Sequence, residues 1–323
     1  MDKNYMLNRI VVVIFLCVGL TFFSELQAQG KVEGSALRIK GGIFYGTMKT
    51  DLEKRNTFAD FFGAQVNQDY NFARGLDMIN NLGAEYFHSL GSGLLSNVFF
   101  GLHLNSHNRN YEWQSYYPIG LGLKDGKGRL GYEDISVGVT LAVAPGLRIL
   151  PKYVLRSMAQ RFDGSYLGLG NPSFYGNQGT TTAASSGLLG VGLEYDVNAD
   201  VTIFADLLVY GPFLYKSKGT YENELITLAT NGSSSYAYAN GGYSFSSQKL
   251  TLGGTYQVIP KLKIFVSLDQ ERIYTKGESP TAFVLDTSGL NGLGTLGQYL
   301  AATNEERIKL SGVKFGVTYD IGM

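Results

Sequence analysis

The sequence predicts an all-β fold, a transmembrane antiparallel up-and-down β-barrel of about ten strands, with 8, 12 or 14 as the neighbouring even solutions. Three observations carry this. A glycine followed two positions on by a small polar or acidic residue, and then by a large one, occurs five times. The copies are Gly83-Ala84-Glu85-Tyr86, Gly138-Val139-Thr140-Leu141, Gly192-Leu193-Glu194-Tyr195, Gly253-Gly254-Thr255-Tyr256 and Gly316-Val317-Thr318-Tyr319. They lie too far apart to share a strand and suit two strands plus one long connection, so the chain reads as a tandem of hairpins. Each of the first four copies runs into a tight turn and a fresh alternating run, as in Val197-Asn198-Ala199-Asp200-Val201 and Val258-Ile259-Pro260-Lys261-Leu262. Short turns on one side and long connections on the other are the asymmetry of a barrel that crosses a membrane.

The N-terminus comes first. Lys3 and Arg9 precede an apolar run from Ile10 to Phe23 and a polar stretch ending at Ala28. This reads as a secretory signal peptide, residues 1–28, cleaved to leave Gln29 at the start of the mature chain. The run is short for a membrane-crossing helix, and strand patterning follows it at once. Cys17, the single cysteine, falls inside this segment, so the mature chain carries no thiol. Disulfides, cysteine catalysis and thiolate metal sites are thereby excluded.

Residues 29–323 are expected to form one barrel domain. Its strands are read as Leu37–Tyr45, Ile79–His88, Leu94–Asn105, Tyr132–Val143, Leu147–Arg156, Leu188–Val197, Val201–Tyr215, Lys249–Val258, Leu262–Tyr274 and Leu310–Met323. Alternation gives each its two faces. Leu262, Ile264, Val266 and Leu268 face one way, while Lys263, Phe265, Ser267, Asp269 and Glu271 face the other. A soluble sandwich would bury the first set in its core, but strands near a dozen residues suit a tilted membrane crossing better than a sandwich. The mean hydropathy of −0.02 agrees, because lipid-facing and lumen-facing residues cancel in any average.

Aromatic residues mark depth along these strands. Tyr86, Tyr195, Tyr256 and Tyr319 stand just before expected turns or the terminus, where a ring can lie in lipid with its hydroxyl wet. Tyr45, Tyr210, Phe213 and Tyr215 would form the matching girdle at the other surface. Phe315, Val317, Tyr319, Ile321 and Met323 alternate to the end of the chain. This resembles the C-terminal signal by which outer-membrane β-barrel proteins of Gram-negative bacteria are recognised for assembly, although such signals usually end in Phe or Trp. The resemblance covers the mature chain through architecture and this signal alone. It implies residence in the outer membrane, with outer-membrane lipid and the barrel-assembly machinery as partners, and the even strand count then puts both termini on the periplasmic side.

The lumen-facing set collects Arg38, Lys40, Arg148, Lys152, Arg156, Lys263 and Lys314 against Glu85, Asp134, Glu194, Asp206, Asp269, Glu271 and Asp320. The signs nearly balance. About eight strands leave an interior that side chains fill and wide channels need about sixteen, so ten strands imply a largely closed, charge-paired lumen. The alternative is a narrow channel for small solutes. The whole chain is balanced too, with 27 basic and 27 acidic residues, which gives nucleic acid no basic face.

No cofactor or metal site is expected. Gly292-Leu293-Gly294-Thr295-Leu296-Gly297 has the letters of a dinucleotide fingerprint but not its strand-turn-helix setting. Asp196-x-Asn198-x-Asp200 begins like a calcium loop, yet Val201 and Leu207 stand where glycine and glutamate are needed. Asn231-Gly232-Ser233 matches a glycosylation sequon of a kind common by chance. An outer-membrane hydrolase is the second alternative, but His88, His103 and His107 form no recognisable catalytic signature, and His103 and His107 read as solvated rim residues. Function is therefore expected in surface stretches such as Tyr111–Tyr117 and Ser233–Tyr243, rich in Tyr, Asn, Ser and Gly. These suit contact with a partner or membership of an outer-membrane complex.

Overall fold

The computed structural model describes residues 35–50, 66–69, 81–91, 93–115, 121–168, 174–229, 234–284 and 305–322. Residues 1–28, read above as a signal peptide, lie outside them, as do Met323, the 292–297 glycines and the Asn231 sequon. The strands are β1 (Ala36–Thr50), β2 (Val66–Asp69), β3 (Asn81–Ser89), β4 (Leu95–Ser115), β5 (Leu121–Ala144), β6 (Leu147–Gly168), β7 (Phe174–Asp196), β8 (Val201–Tyr210), β9 (Lys218–Ala229), β10 (Ser234–Ile259), β11 (Leu262–Val284) and β12 (Glu305–Gly322).

Eleven of them close into one antiparallel ring, and β2 pairs with the far end of β4 through Val66 opposite Ser115. Arg38 stands opposite Asp320 on one side of β1 and opposite Glu85 on the other, so first and last strands seal the ring. The eleven strands fill ten positions, because β8 and β9 lie end to end between β7 and β10. Between them Gly211–Ser217 leaves the ladder while β7 advances only through Ser186 and Gly187. Pro212 has no amide hydrogen to give a ladder. The excursion is pinned where Gly211 N donates to Gly187 O at 3.0 Å and Gly187 N donates to Tyr215 O at 3.2 Å. Phe213 and Leu214 stand at its tip, 80% and 77% exposed.

The end of the ring carrying the connections β3–β4, β5–β6, β7–β8 and β10–β11 is here the turn end. Two of its turns pair a proline with a positive-φ residue, Gly146 at 74° after Pro145 and Lys261 at 73° after Pro260, as the second central position of a type II turn requires. Asn198 Oδ1 accepts from the amides of Asp200 and Val201, both at 2.9 Å, so the Asp-x-Asn-x-Asp segment is a polar turn.

The strands run much further from the turn end than their alternation suggests. Tyr111–Ser115 belongs to β4 and Ser234–Tyr243 to β10, so the stretches expected as surface loops are mostly strand. The reason is a reversal of phase. Near the turn end the outward residues are apolar and exposed, as in Ile264, Val266 and Leu268 of β11 or Leu189, Val191 and Leu193 of β7. Further along, the outward residues turn polar at Gln248, Gln270, Ser311, Ser185, Ser157 and Glu133, and the inward ones turn apolar. Leu130, Tyr132, Met158, Ala184, Tyr221, Ala239, Tyr243, Phe245, Ile273, Ile308 and Leu310 pack there as a buried core inside the ring. A crossing of roughly 25 Å needs about 9–11 residues. The 26 residues of β10 exceed that more than twofold, so the ring continues as a barrel with a soluble protein's polarity.

The repeated glycines have a packing role in the lumen. Phe99 stands directly opposite Gly138, Phe204 opposite Gly253, Phe265 opposite Gly316 and His103 opposite Gly83. Each ring lies where the glycine has no side chain: a Cβ at Gly253 would fall 2.6 Å from the Phe204 ring, and one at Gly316 would fall 2.9 Å from that of Phe265. The fifth copy, Gly192, faces Asp206 and Leu150 with more room, its nearest neighbour being Leu150 Cβ at 3.3 Å.

Candidate functional site

Alternation carries Arg38, Lys40, Glu85, Asp134, Arg148, Lys152, Arg156, Glu194, Asp206, Lys263 and Asp269 to the inner face, and their charges meet in two layers. Near the turn end, Arg38 donates from Nε to Asp320 at 3.0 Å and lies 3.6 Å from Glu194 on β7, across the ring. Glu85 receives Lys40 at 2.8 Å and His103 Nε2 at 3.2 Å. Arg148 grips both oxygens of Asp196, at 2.6 and 2.8 Å, and reaches Glu194 at 3.1 Å. Lys152 pairs with Asp206 at 2.7 Å, and Lys263 with Asp320 at 2.9 Å.

The deeper layer centres on Arg156, whose side chain is wholly buried. It clasps Asp134 on β5 through Nε and Nη2, at 2.6 and 2.7 Å, and crosses the lumen to Glu271 on β11 and to Ser247 at 3.1 Å. Tyr132 and Ser247 each donate to Glu271, at 2.9 and 2.7 Å. The Arg156 guanidinium lies 4.1 Å from the Tyr132 ring centre, a cation–π contact that removes it further from water. Beside it Lys314 and Lys249 share Asp269, at 2.9 and 3.7 Å, with Ser267 donating to the same carboxylate. A carboxylate out of water is tolerated only when paired and hydrogen-bonded, and these groups meet that condition.

Between the turn end and the Arg156 layer lies a cavity of about 1040 Å³, reaching from Ala36 and Gly322 up to Asp134 and Lys314. Beyond the Arg156 layer the apolar core begins, and Phe44 and His107 extend it toward β1 and β4. Both histidines read as rim residues in fact point inward: His103 beside Glu85, His107 edge-on to Phe44 at 5.2 Å. Tyr132, Ser247 and Lys249 belong to the site without having been marked by the sequence. Lys249 opens a strand in the alternation, so its inward parity was the only signal available.

On the outer face Tyr86, Tyr195, Tyr256 and Tyr319 stand at one level, one to three residues from the turn-end termini of β3, β7, β10 and β12. Tyr45 and Tyr215 are exposed, and Tyr210 is half-buried beside the Gly211–Ser217 excursion. Phe315, Val317 and Tyr319 point outward with Ile321 following in the same phase.

No protein-family model and no curated protein matches the sequence. The structure is similar to that of the outer-membrane protease OmpT from Escherichia coli, with a TM-score of 0.52 over 92% of this chain and 100% of that one, at 11% identity. The fold is that of an outer-membrane β-barrel. Weaker likenesses are to the toluene transporter TodX of P. putida, TM-score 0.33 at 11% identity over 90% of both chains, and to a major outer membrane protein from Thermus thermophilus, TM-score 0.32 at 10% identity over 89% and 98%. At these identities the likeness is one of architecture alone.

Proposed function

We propose that this barrel is a non-enzymatic surface protein of the outer membrane, closed to solute flow, that acts through the part of the ring projecting beyond the bilayer. Its turn end and both termini face the periplasm. One observation carries the reading: Arg156, fully buried, ties β5, β6, β10 and β11 together across the lumen directly beneath an apolar core. An ion following the axis would have to displace a paired guanidinium and then enter a dry, aromatic layer. The projecting strands carry Tyr, Asn and Ser in the proportions suited to contact with a partner, so a place in an outer-membrane complex follows. Co-purification in mild detergent with a stoichiometric partner supports it.

The runner-up is a narrow channel, favoured by the cavity of about 1040 Å³ and its mixed charges. Planar bilayers separate the two. The closed barrel gives no steady current, whereas unitary current altered by substitution of Arg38 or Glu194 overturns the proposal. The protease activity named for OmpT is a weaker reading, because His103 lies inside the cavity near the turn end, bonded to Glu85, away from the projecting strands.

A further inference from the structure

Arg272 on β11 and Lys309 on β12 stand directly opposite one another, both outward and both exposed. On its other side Lys309 is opposite Lys49 of β1. Arg272 and Lys309 thus place two cations on one rung of adjacent strands. Side chains directly opposite in an antiparallel pair have Cβ atoms about 5 Å apart, and like charges there repel. Among the residues whose side chains are described, no carboxylate pairs with Arg272 or Lys309; the neighbours are Gln248, Gln270, Ser311 and another cation, Arg307, which lies 5.7 Å from the Tyr274 ring centre. A second outward like-charged pair, Arg129 opposite Arg161, is answered within the chain by Asp163 at 2.8 Å from Arg161. The Arg272 row lacks such an answer.

Its depth names the missing partner. Toward the turn end, past the polar rung of Gln270 and Ser311, the same strands present Leu268 and Val266 on β11 and Phe315 and Val317 on β12, all exposed and apolar. The row therefore sits at the edge of the lipid-facing band, on the side of the projecting strands. We propose that Arg272, Lys309 and Arg307 form a binding site for a phosphate-bearing lipid headgroup, whose acyl chains lie along Leu268, Val266 and Phe315. The Arg272 guanidinium offers a planar fork matched to two phosphate oxygens, and the Lys309 ammonium adds a point charge beside it. An anion held between them turns a repulsive rung into an attractive one. Free phosphate would meet the cations but not the apolar band, so a lipid is the ligand the surface favours.

Native mass spectrometry of the mature barrel in neutral detergent micelles tests this, with doubly phosphorylated lipid A and its dephosphorylated form as probes. The phosphorylated lipid is expected to bind at least tenfold more tightly, and Arg272→Gln with Lys309→Gln to remove most of that preference. Arg129→Gln, on another face, should leave it unchanged. Equal retention of the two lipids by the wild-type barrel overturns the proposal without recourse to any variant. So does full retention by the double variant, an equal loss in Arg129→Gln, or displacement of the lipid by inorganic phosphate at matching concentration.

Discussion

Tyr132 on β5 donates a 2.9 Å hydrogen bond to Glu271 on β11, and those strands are diametrically opposite in the ten-position ring. A lumen that two side chains can bridge is narrow. Arg38 and Glu194, 3.6 Å apart, span it again between β1 and β7 nearer the turn end. The two contacts cross-brace the wall along different diameters, and each depends on groups removed from bulk water.

Removing Arg156 should be among the most damaging single changes. Arg156→Ala takes from buried Asp134 and Glu271 the guanidinium that pairs with both, at a cost of about 3–5 kcal/mol. Replacing all three by apolar residues of similar volume should cost much less than the single change. Urea titration of the refolded barrel in lipid vesicles, read by loss of heat-modifiable migration, compares the two.

The repeated glycines should not be equivalent. A side chain at Gly138 meets the Phe99 ring and the Pro151 carbonyl oxygen, whereas at Gly192 the nearest atom is 3.3 Å away. Gly138→Leu is expected to lose about 1–3 kcal/mol through overpacking, and Gly192→Leu distinctly less. The same titration decides it; equal losses would break the link between the glycines and their rings.

Leu193 faces outward in the apolar band, one residue from lumenal Gly192 and Glu194. Leu193→Arg should destabilise by up to about 2–4 kcal/mol near the bilayer midplane, and less nearer the interface. An unchanged unfolding midpoint in vesicles would contradict the assigned faces.

The Gly211–Ser217 excursion sits where the outward face changes from apolar to polar, so Phe213 and Leu214 should dip into the bilayer surface. With Trp113, the single tryptophan, replaced by Phe, a tryptophan introduced by Phe213→Trp should emit at short wavelength in vesicles and be quenched by lipids brominated near the headgroup. Emission characteristic of water would place the excursion outside the membrane.

Ten strand positions, their inner and outer faces and the turn-end tyrosines were legible because lipid and lumen demand opposite polarity on alternate residues. Strand length was not. Along β11 the apolar residues move from Ile264, Val266 and Leu268 on the outside to Ile273 on the inside, and a reader following one face sees the pattern end at Gln270. The break in the seventh position was hidden for another reason. Leu207, Val209, Phe213 and Tyr215 keep the outward alternation running in sequence through residues that leave the ladder. The lumenal charges announced themselves by parity, but their partners across the ring, such as Tyr132 for Glu271, depend on closure, which no local pattern encodes.

The reversal of polarity along the strands divides the molecule thermodynamically. Where Tyr221, Phe245, Ile273 and Leu310 pack inside the ring, apolar surface leaves water on folding, which brings a positive heat capacity of unfolding and a weakening on cooling. Where Leu189, Val266 and Phe315 face outward, the apolar surface is solvated by hydrocarbon and follows the thickness and fluidity of the bilayer instead. Chilling should loosen the projecting half of the barrel while the embedded half holds, so one continuous sheet answers to two solvents.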